Sequence, residues 1–92
     1  MRGNVIRRRV KVHGHVQGVF FRDSAREQAE SNAVAGWVAN RSDGTVEAVL
    51  EGPADAVERV LRFLSAGPPQ ASVEDLEITE EEPEGLSRFD VR

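Results

Sequence analysis

Arg22 closes the stretch Gly14-His15-Val16-Gln17-Gly18-Val19-Phe20-Phe21-Arg22, where an expected strand ends, two glycines bracket a short loop and an expected helix begins. Those residue types in that order describe an anion cradle. Glycines permit the positive-φ backbone that lets successive N–H groups face one concavity, and a helix N-terminus adds free N–H groups and a positive dipole end. The planar guanidinium of Arg22 matches two phosphate oxygens at once, which a lysine ammonium does not. The other reading of these residues is a plain strand-to-helix connection with an exposed arginine. Asn40 is the second polar candidate. Its neutral amide carries a donor and an acceptor just ahead of an Asp43-Gly44 turn, where the alternative role is simply to initiate the turn.

Composition removes several other chemistries. The 92 residues include no cysteine, so disulfides, thiolate nucleophiles and cysteine-ligated metals are excluded. His13 and His15 share one face of a strand, but no third ligand at metal-site spacing stands near them, and neither metal nor cofactor is expected. A formal charge of -4 argues against a dedicated nucleic-acid binder. With 39% hydrophobic and 30% charged residues the composition is that of an ordinary globular domain, and residues 1–92 are expected to form one. No run approaches the ~20 apolar residues of a membrane span, and Met1-Arg2-Gly3-Asn4 leads into a strand without a signal-like apolar segment. A cytoplasmic monomer without membrane or nucleic-acid partners is expected.

The elements that must position Arg22 and Asn40 follow from periodicity. From Val5 to His13, Val10 and Val12 fall on one face and Arg7, Arg9, Lys11 and His13 on the other, a strand with one buried and one solvated face. Arg7-Arg8-Arg9 reads as part of that solvated face, since no stacking aromatics accompany it. Phe21, Ala25, Ala29 and Ala33 repeat at i, i+4 and predict a helix over 21–33, with Asn32 near its stop. Val34 to Asn40 and Thr45 to Glu51 are then two strands of an antiparallel hairpin turned at Asp43-Gly44, with Trp37 packing. Pro53 opens a second helix whose Ala54, Val57, Leu61 and Leu64 form a core stripe, and Gly67-Pro68 ends it. Ser72 to Thr79 is a strand whose apolar residues Val73, Leu76 and Ile78 break alternation once, which suggests a bulge or a late strand start. An acidic loop over 80–84 precedes a short last strand at 88–92, with Phe89 and Val91 inward.

The order strand, helix, strand, strand, helix, strand, with a terminal strand added, is ferredoxin-like: an α+β two-layer sandwich with both helices on one face of an antiparallel sheet. The first strand lies inside such a sheet, so the cradle at its end comes near the hairpin carrying Asn40. The fold alone does not specify a function.

Two separated motifs, residues 14–22 and Gly36-Trp37-Val38-Ala39-Asn40 continuing through Asp43-Gly44-Thr45-Val46-Glu47 to Glu51-Gly52-Pro53, resemble the acylphosphatase family in order and spacing over nearly the whole chain. The resemblance implies metal-free hydrolysis of carboxyl-phosphate mixed anhydrides. It implies that the backbone N–H groups of His15, Val16, Gln17, Gly18, Val19 and Phe20 hold phosphate together with Arg22. Arg22 and Asn40 become the catalytic pair, Asn40 orienting the attacking water. His15 stands where the family often has arginine, and Phe20 where a smaller residue is common.

Such chemistry suits this residue set. An acyl phosphate expels a stable carboxylate, so no strong general acid is needed, and preorganised N–H donors with a guanidinium can hold the charge of a loose phosphoryl-transfer transition state. A non-catalytic ferredoxin-like module for a small anionic metabolite or RNA is the competing reading. Recognition of RNA on the sheet would need exposed aromatics, which Thr45 to Glu51 lacks.

Overall fold

The structure, a computed structural model, describes residues 4–92. Five strands and two helices follow in the order β1 (Val5–His15), α1 (Phe21–Ser31), β2 (Ala35–Asn40), β3 (Val46–Pro53), α2 (Ala54–Ala66), β4 (Ser72–Glu81) and β5 (Phe89–Val91). The sheet order is β4-β1-β3-β2-β5. Val10 and Val12 pair with Ala48 and Val46, all fully buried. Against that face lie Phe21, Ala25 and Ala29 of α1 and Ala56, Val57, Val60, Leu61 and Leu64 of α2. Burial of these stripes is the main source of cohesion between the two layers, since apolar area removed from water contributes roughly 25 cal/mol per Å².

The ferredoxin-like α+β expectation holds, with one change. β1, β3, β4 and β2 pair antiparallel, but β5 runs parallel to β2, so the sheet is mixed. β4 and β5 occupy opposite edges, and the chain between them must pass β1, β3 and β2. It therefore re-enters at the end where β2 begins. As a consequence β1, β2 and β5 all finish at one end of the sheet, the end that carries residues 15–22 and Asn40.

Other boundaries moved for local reasons. α1 stops at Ser31 rather than at Ala33, because Asn32 turns its amide back on the helix and donates to the Gln28 carbonyl at 2.8 Å, while Ala33 enters the left-handed region at φ 55 and is exposed. β4 contains the expected irregularity: His13 faces Asp75 but Gly14 faces Val73, so Glu74 is an extra residue and Val73 returns to the helix side. β4 also extends through Glu80 and Glu81, which had been expected in a loop.

The outer face of the sheet differs most from expectation. Arg7 is only 4% exposed, not solvated. Its neighbours across the strands are Glu51 and Glu81, and it donates to both, at 3.1 and 2.8 Å. The segment after β4 covers this corner, and the N–H groups of Glu84, Gly85 and Leu86 donate to the Glu51 carboxylate at 2.9, 2.7 and 2.8 Å. Burial works against the Glu51 charge, but those N–H donors and Arg7 outweigh it and hold its carboxyl below the usual range. Further along the same face Trp37 packs with Ala39 and Val49, and the guanidinium carbons of Arg9, Arg41 and Arg92 lie 5.5, 5.4 and 4.6 Å from its ring centre. Among the described residues no helix is long and apolar enough to cross a membrane.

Candidate active site

Near its end β1 passes the bulge of β4 at Gly14, where only glycine fits. At φ 127 an added Cβ would stand 2.1 Å from the Ser72 carbonyl oxygen, on the partner strand beside the bulge. The loop then turns at Gly18, φ 73, and again at Phe20, φ 62, before α1 begins. A left-handed phenylalanine costs about 1–3 kcal/mol and persists only where its surroundings hold it. Val16 and Val19 supply that hold, each with its side chain in the core. Among the described residues, no hydrogen bond to protein uses the N–H of Val16, Gln17, Gly18, Val19 or Phe20 as donor. The first N–H groups of α1 follow directly and lack intrahelical acceptors by the nature of a helix start.

A hollow of about 280 Å³ opens beside this loop, lined by Val16, Gly18, Phe20, Phe21, Arg22, Asp23, Asn40 and Val91. Its residues come from the ends of β1, β2 and β5 and the first turn of α1, which explains why the three like-directed strands matter. Arg22 Nη1 donates to the Arg92 carbonyl at 2.9 Å, and the Arg92 N–H donates to Val38 at 2.8 Å, so the end of β5 orients the guanidinium. The Asn40 amide is exposed and has no hydrogen-bond partner among the described residues. It ends β2 opposite Val46.

One side chain joins loop to hairpin. Gln17 Nε2 donates to the carbonyls of Arg41 and Thr45 at 2.7 and 2.9 Å, and the same Thr45 carbonyl accepts the Arg41 N–H at 2.9 Å. Thr45 is in turn fixed by Asp43, whose Oδ1 accepts its hydroxyl at 2.6 Å and its N–H at 3.0 Å. These two bonds hold the Asp43 carboxyl down at about 2, with Lys11 nearby. The residue after Asn40 is thus tied to the middle of the loop.

The acylphosphatase family model matches residues 8–91. The chain belongs to the acylphosphatase family. It is 56% identical to an acylphosphatase of Rubrobacter xylanophilus over 91% of this chain and 77% of that one. With an acylphosphatase of Pyrobaculum aerophilum it shares 60% identity over 86% of this chain and 84% of the other. A solved acylphosphatase from Coxiella burnetii superposes with a TM-score of 0.92 at 44% identity, covering 97% of this chain and 94% of that one. The resemblance read from the motifs, the fold and the reading as an acyl phosphate hydrolase are all borne out.

Within this acylphosphatase domain the residues singled out by sequence are not all in one place. Arg22, Asn40, Val16, Gly18 and Phe20 line the hollow. Gln17 faces the hairpin and the Val19 side chain the core, so these two lie beside the hollow. His15 ends β1 opposite Ser72, exposed, at the strand side of the loop. His13 Nε2 meets Glu77 Oε2 at 2.5 Å, so the two histidines engage different surroundings. Sequence reasoning missed Asp23, Val91 and the Gln17 staple. Asp23 follows Arg22 on the first turn of the helix and was open to notice. Nothing in a three-residue strand tells which neighbour it will join, so Val91 was not.

Proposed function

We propose that the protein hydrolyses acyl phosphates at this hollow, with residues 1–92 working as one domain. Phosphate is held by the N–H groups of the loop from His15 to Phe20 and by Arg22, and water is set in line with phosphorus by Asn40. In the reaction a water oxygen bonds to phosphorus while the bond from phosphorus to the acyl oxygen breaks. The carboxylate leaves with that bond's electron pair, and both water protons remain on the phosphorus product, giving dihydrogen phosphate from the dianionic substrate. The observation that supports this most is the convergence of Arg22, the unpartnered Asn40 amide and the free loop N–H groups on one hollow.

The division of labour follows from chemistry. A guanidinium and fixed N–H dipoles stabilise the charge on the equatorial oxygens as the P–O bond loosens. The Asn40 amide is too weak a base to deprotonate water near neutral pH. It acts by holding water in the attacking line, and well-oriented attack is worth as much as roughly 7 to 11 kcal/mol in ideal cases.

The test is hydrolysis of benzoyl phosphate, with and without chelator, by the wild type, Arg22→Ala and Asn40→Ala. Chelator-insensitive turnover by the wild type and its loss in both variants is the expected result. Wild-type activity no faster than spontaneous hydrolysis would sink the proposal, and activity lost on chelation would contradict the metal-free mechanism.

A further inference from the structure

We propose that the ring of Phe20 is the platform for the acyl group and biases the enzyme toward aromatic acyl phosphates. The inference rests on the site reading above and adds a substrate class to it.

Phe20 is 68% exposed, whereas Phe21 beside it and Phe89 are buried at 2% and 6%. Its ring therefore does not serve the core. Nor does it serve the helix: Phe20 is the N-cap of α1 and makes no side-chain capping bond. Its φ of 62 is a conformation that glycine adopts without strain and that an aromatic residue adopts at a cost. Local folding would be better satisfied by glycine, or by an asparagine able to cap. What Phe20 does have is a place in the lining of the hollow that Arg22 and Asn40 also line.

The lining of that hollow is mixed: Arg22, Asp23 and Asn40 bring polar side chains to it, and Phe20 and Val91 bring apolar ones. An acyl phosphate is mixed in the same way, with a charged phosphoryl group and a less polar acyl group. A volume of about 280 Å³ exceeds what phosphate alone requires. Once phosphate is held by Arg22 and the loop N–H groups, the acyl group extends toward the ring. A flat aromatic acyl group stacks there, whereas an acetyl group offers little surface to it.

The test compares kcat/KM for benzoyl phosphate and for acetyl phosphate in the wild type, Phe20→Gly and Phe20→Leu, with thermal melting alongside. Glycine suits the left-handed backbone, so Phe20→Gly is expected to melt no lower than the wild type. In it the ratio of benzoyl to acetyl kcat/KM should fall about tenfold, the worth of one ring contact. The loss should sit in KM for benzoyl phosphate, because the ring holds ground state and transition state alike. Phe20→Leu should lose part of the ratio. A ratio within about twofold of wild type in Phe20→Gly, or an equal loss on both substrates, overturns the proposal. Should Phe20→Gly fail to fold, competitive inhibition of the wild type decides: phenylphosphonate binding about tenfold more tightly than methylphosphonate supports the platform, and equal binding overturns it. An unchanged ratio with Arg22→Ala inactive on both substrates removes the Phe20 inference and leaves the site reading standing. A wild type inactive on both removes the two together.

Discussion

The two ends of the sheet present the same kind of donor set, and one of them is already filled. Where β1 begins and β3 ends, Arg7 and the three N–H groups of Glu84, Gly85 and Leu86 surround the carboxylate of Glu51, which is 3% exposed. Gly85 stands at φ 83, as a nest of N–H groups requires. At the other end Gly18 stands at φ 73, and Arg22 and the loop N–H groups form a comparable array in which no side-chain carboxylate is bound among the described residues. An arginine with a glycine-turned run of N–H groups is thus used twice. Supplied with an internal anion it closes a fold; left without one it is free to take an anion from solution.

Removing the arginine at the open end should have the larger consequence for chemistry. Arg22→Ala is expected to lower kcat/KM by about 1000-fold, the upper range for one preorganised charge-stabilising group, and to abolish competitive inhibition by inorganic phosphate. Steady-state kinetics with phosphate as inhibitor would check both, and a variant still inhibited as before would break the parallel with Arg7.

The closed end should respond in stability instead. Glu51→Ala leaves Arg7 buried with Glu81 and the exposed Glu84 as its remaining partners and frees the N–H groups of 84–86. Loss of one partner from a buried pair costs about 3–5 kcal/mol, and the lower figure applies at a corner covered by a single loop. That corresponds to a melting temperature lower by more than ~10 °C in a domain of this size, with kcat on benzoyl phosphate little changed. Carboxylates at this corner, farther along the outer face and in the hairpin together predict a pH dependence. Arg9 and Arg7 hold the Glu81 carboxyl at about 2, Thr45 holds Asp43 at about 2, and Glu51 and Glu47 are lowered as well. Groups depressed in the folded state contribute stability above their unfolded values, near 4, and lose it as pH falls toward 2. Melting temperature should therefore be flat from pH 7 to about 5 and fall steeply below about 4, less steeply in Glu51→Ala. A melting curve insensitive to acid would contradict the ion-pair account.

Asn40 is the position at which the ends cease to correspond, since nothing like it faces Glu51. Asn40→Ala should depress kcat about 100-fold while the inhibition constant of phosphate moves only slightly, because in the proposed mechanism the amide acts on water and not on the bound anion. Equal losses of phosphate affinity in the Asn40 and Arg22 variants would erase that distinction.

What the sequence disclosed follows the same division. The open end was legible because its requirements are local: Gly14, Gly18 and Arg22 lie within one turn of chain, and Asn40 sits beside a strong hairpin signal. The break in alternation at Val73 likewise pointed to the bulge that Gly14 accommodates. The closed end was misread. Arg7 alternates with buried valines and belongs on the outer face, and an outer face is usually wet. What dries it is a loop held by a residue more than thirty positions back, and neither periodicity nor composition carries that information. The parallel pairing of β5, which brings Val91 to the hollow and the Arg92 carbonyl to Arg22, was hidden for the same reason. At Ala33 a continuing alanine stripe was overruled by a single side-chain cap from Asn32.

The smallest effect tests how closely the open end must be kept in shape while it waits for its anion. Glu51 holds its loop by being bound to it, but among the described residues no carboxylate binds the proposed phosphate loop, which must be held from the side. Gln17 does this by bridging to the carbonyls of Arg41 and Thr45, and so fixes the distance between the cradle and Asn40. In Gln17→Ala the Thr45 carbonyl keeps the Arg41 N–H, so the cost in stability should be about 1 kcal/mol. The catalytic cost should be larger in proportion, about tenfold in kcat, because misplacement of the water line by a fraction of an ångström weakens attack. Saturating phosphate supplies the missing anion and should recover most of the lost melting temperature, more than it raises that of the wild type. Gln17→Glu, which keeps the length but offers no N–H to the two carbonyls, should behave like the alanine variant. If Gln17→Ala lost stability and kept full kcat, the two halves of the site would be held together by some other contact.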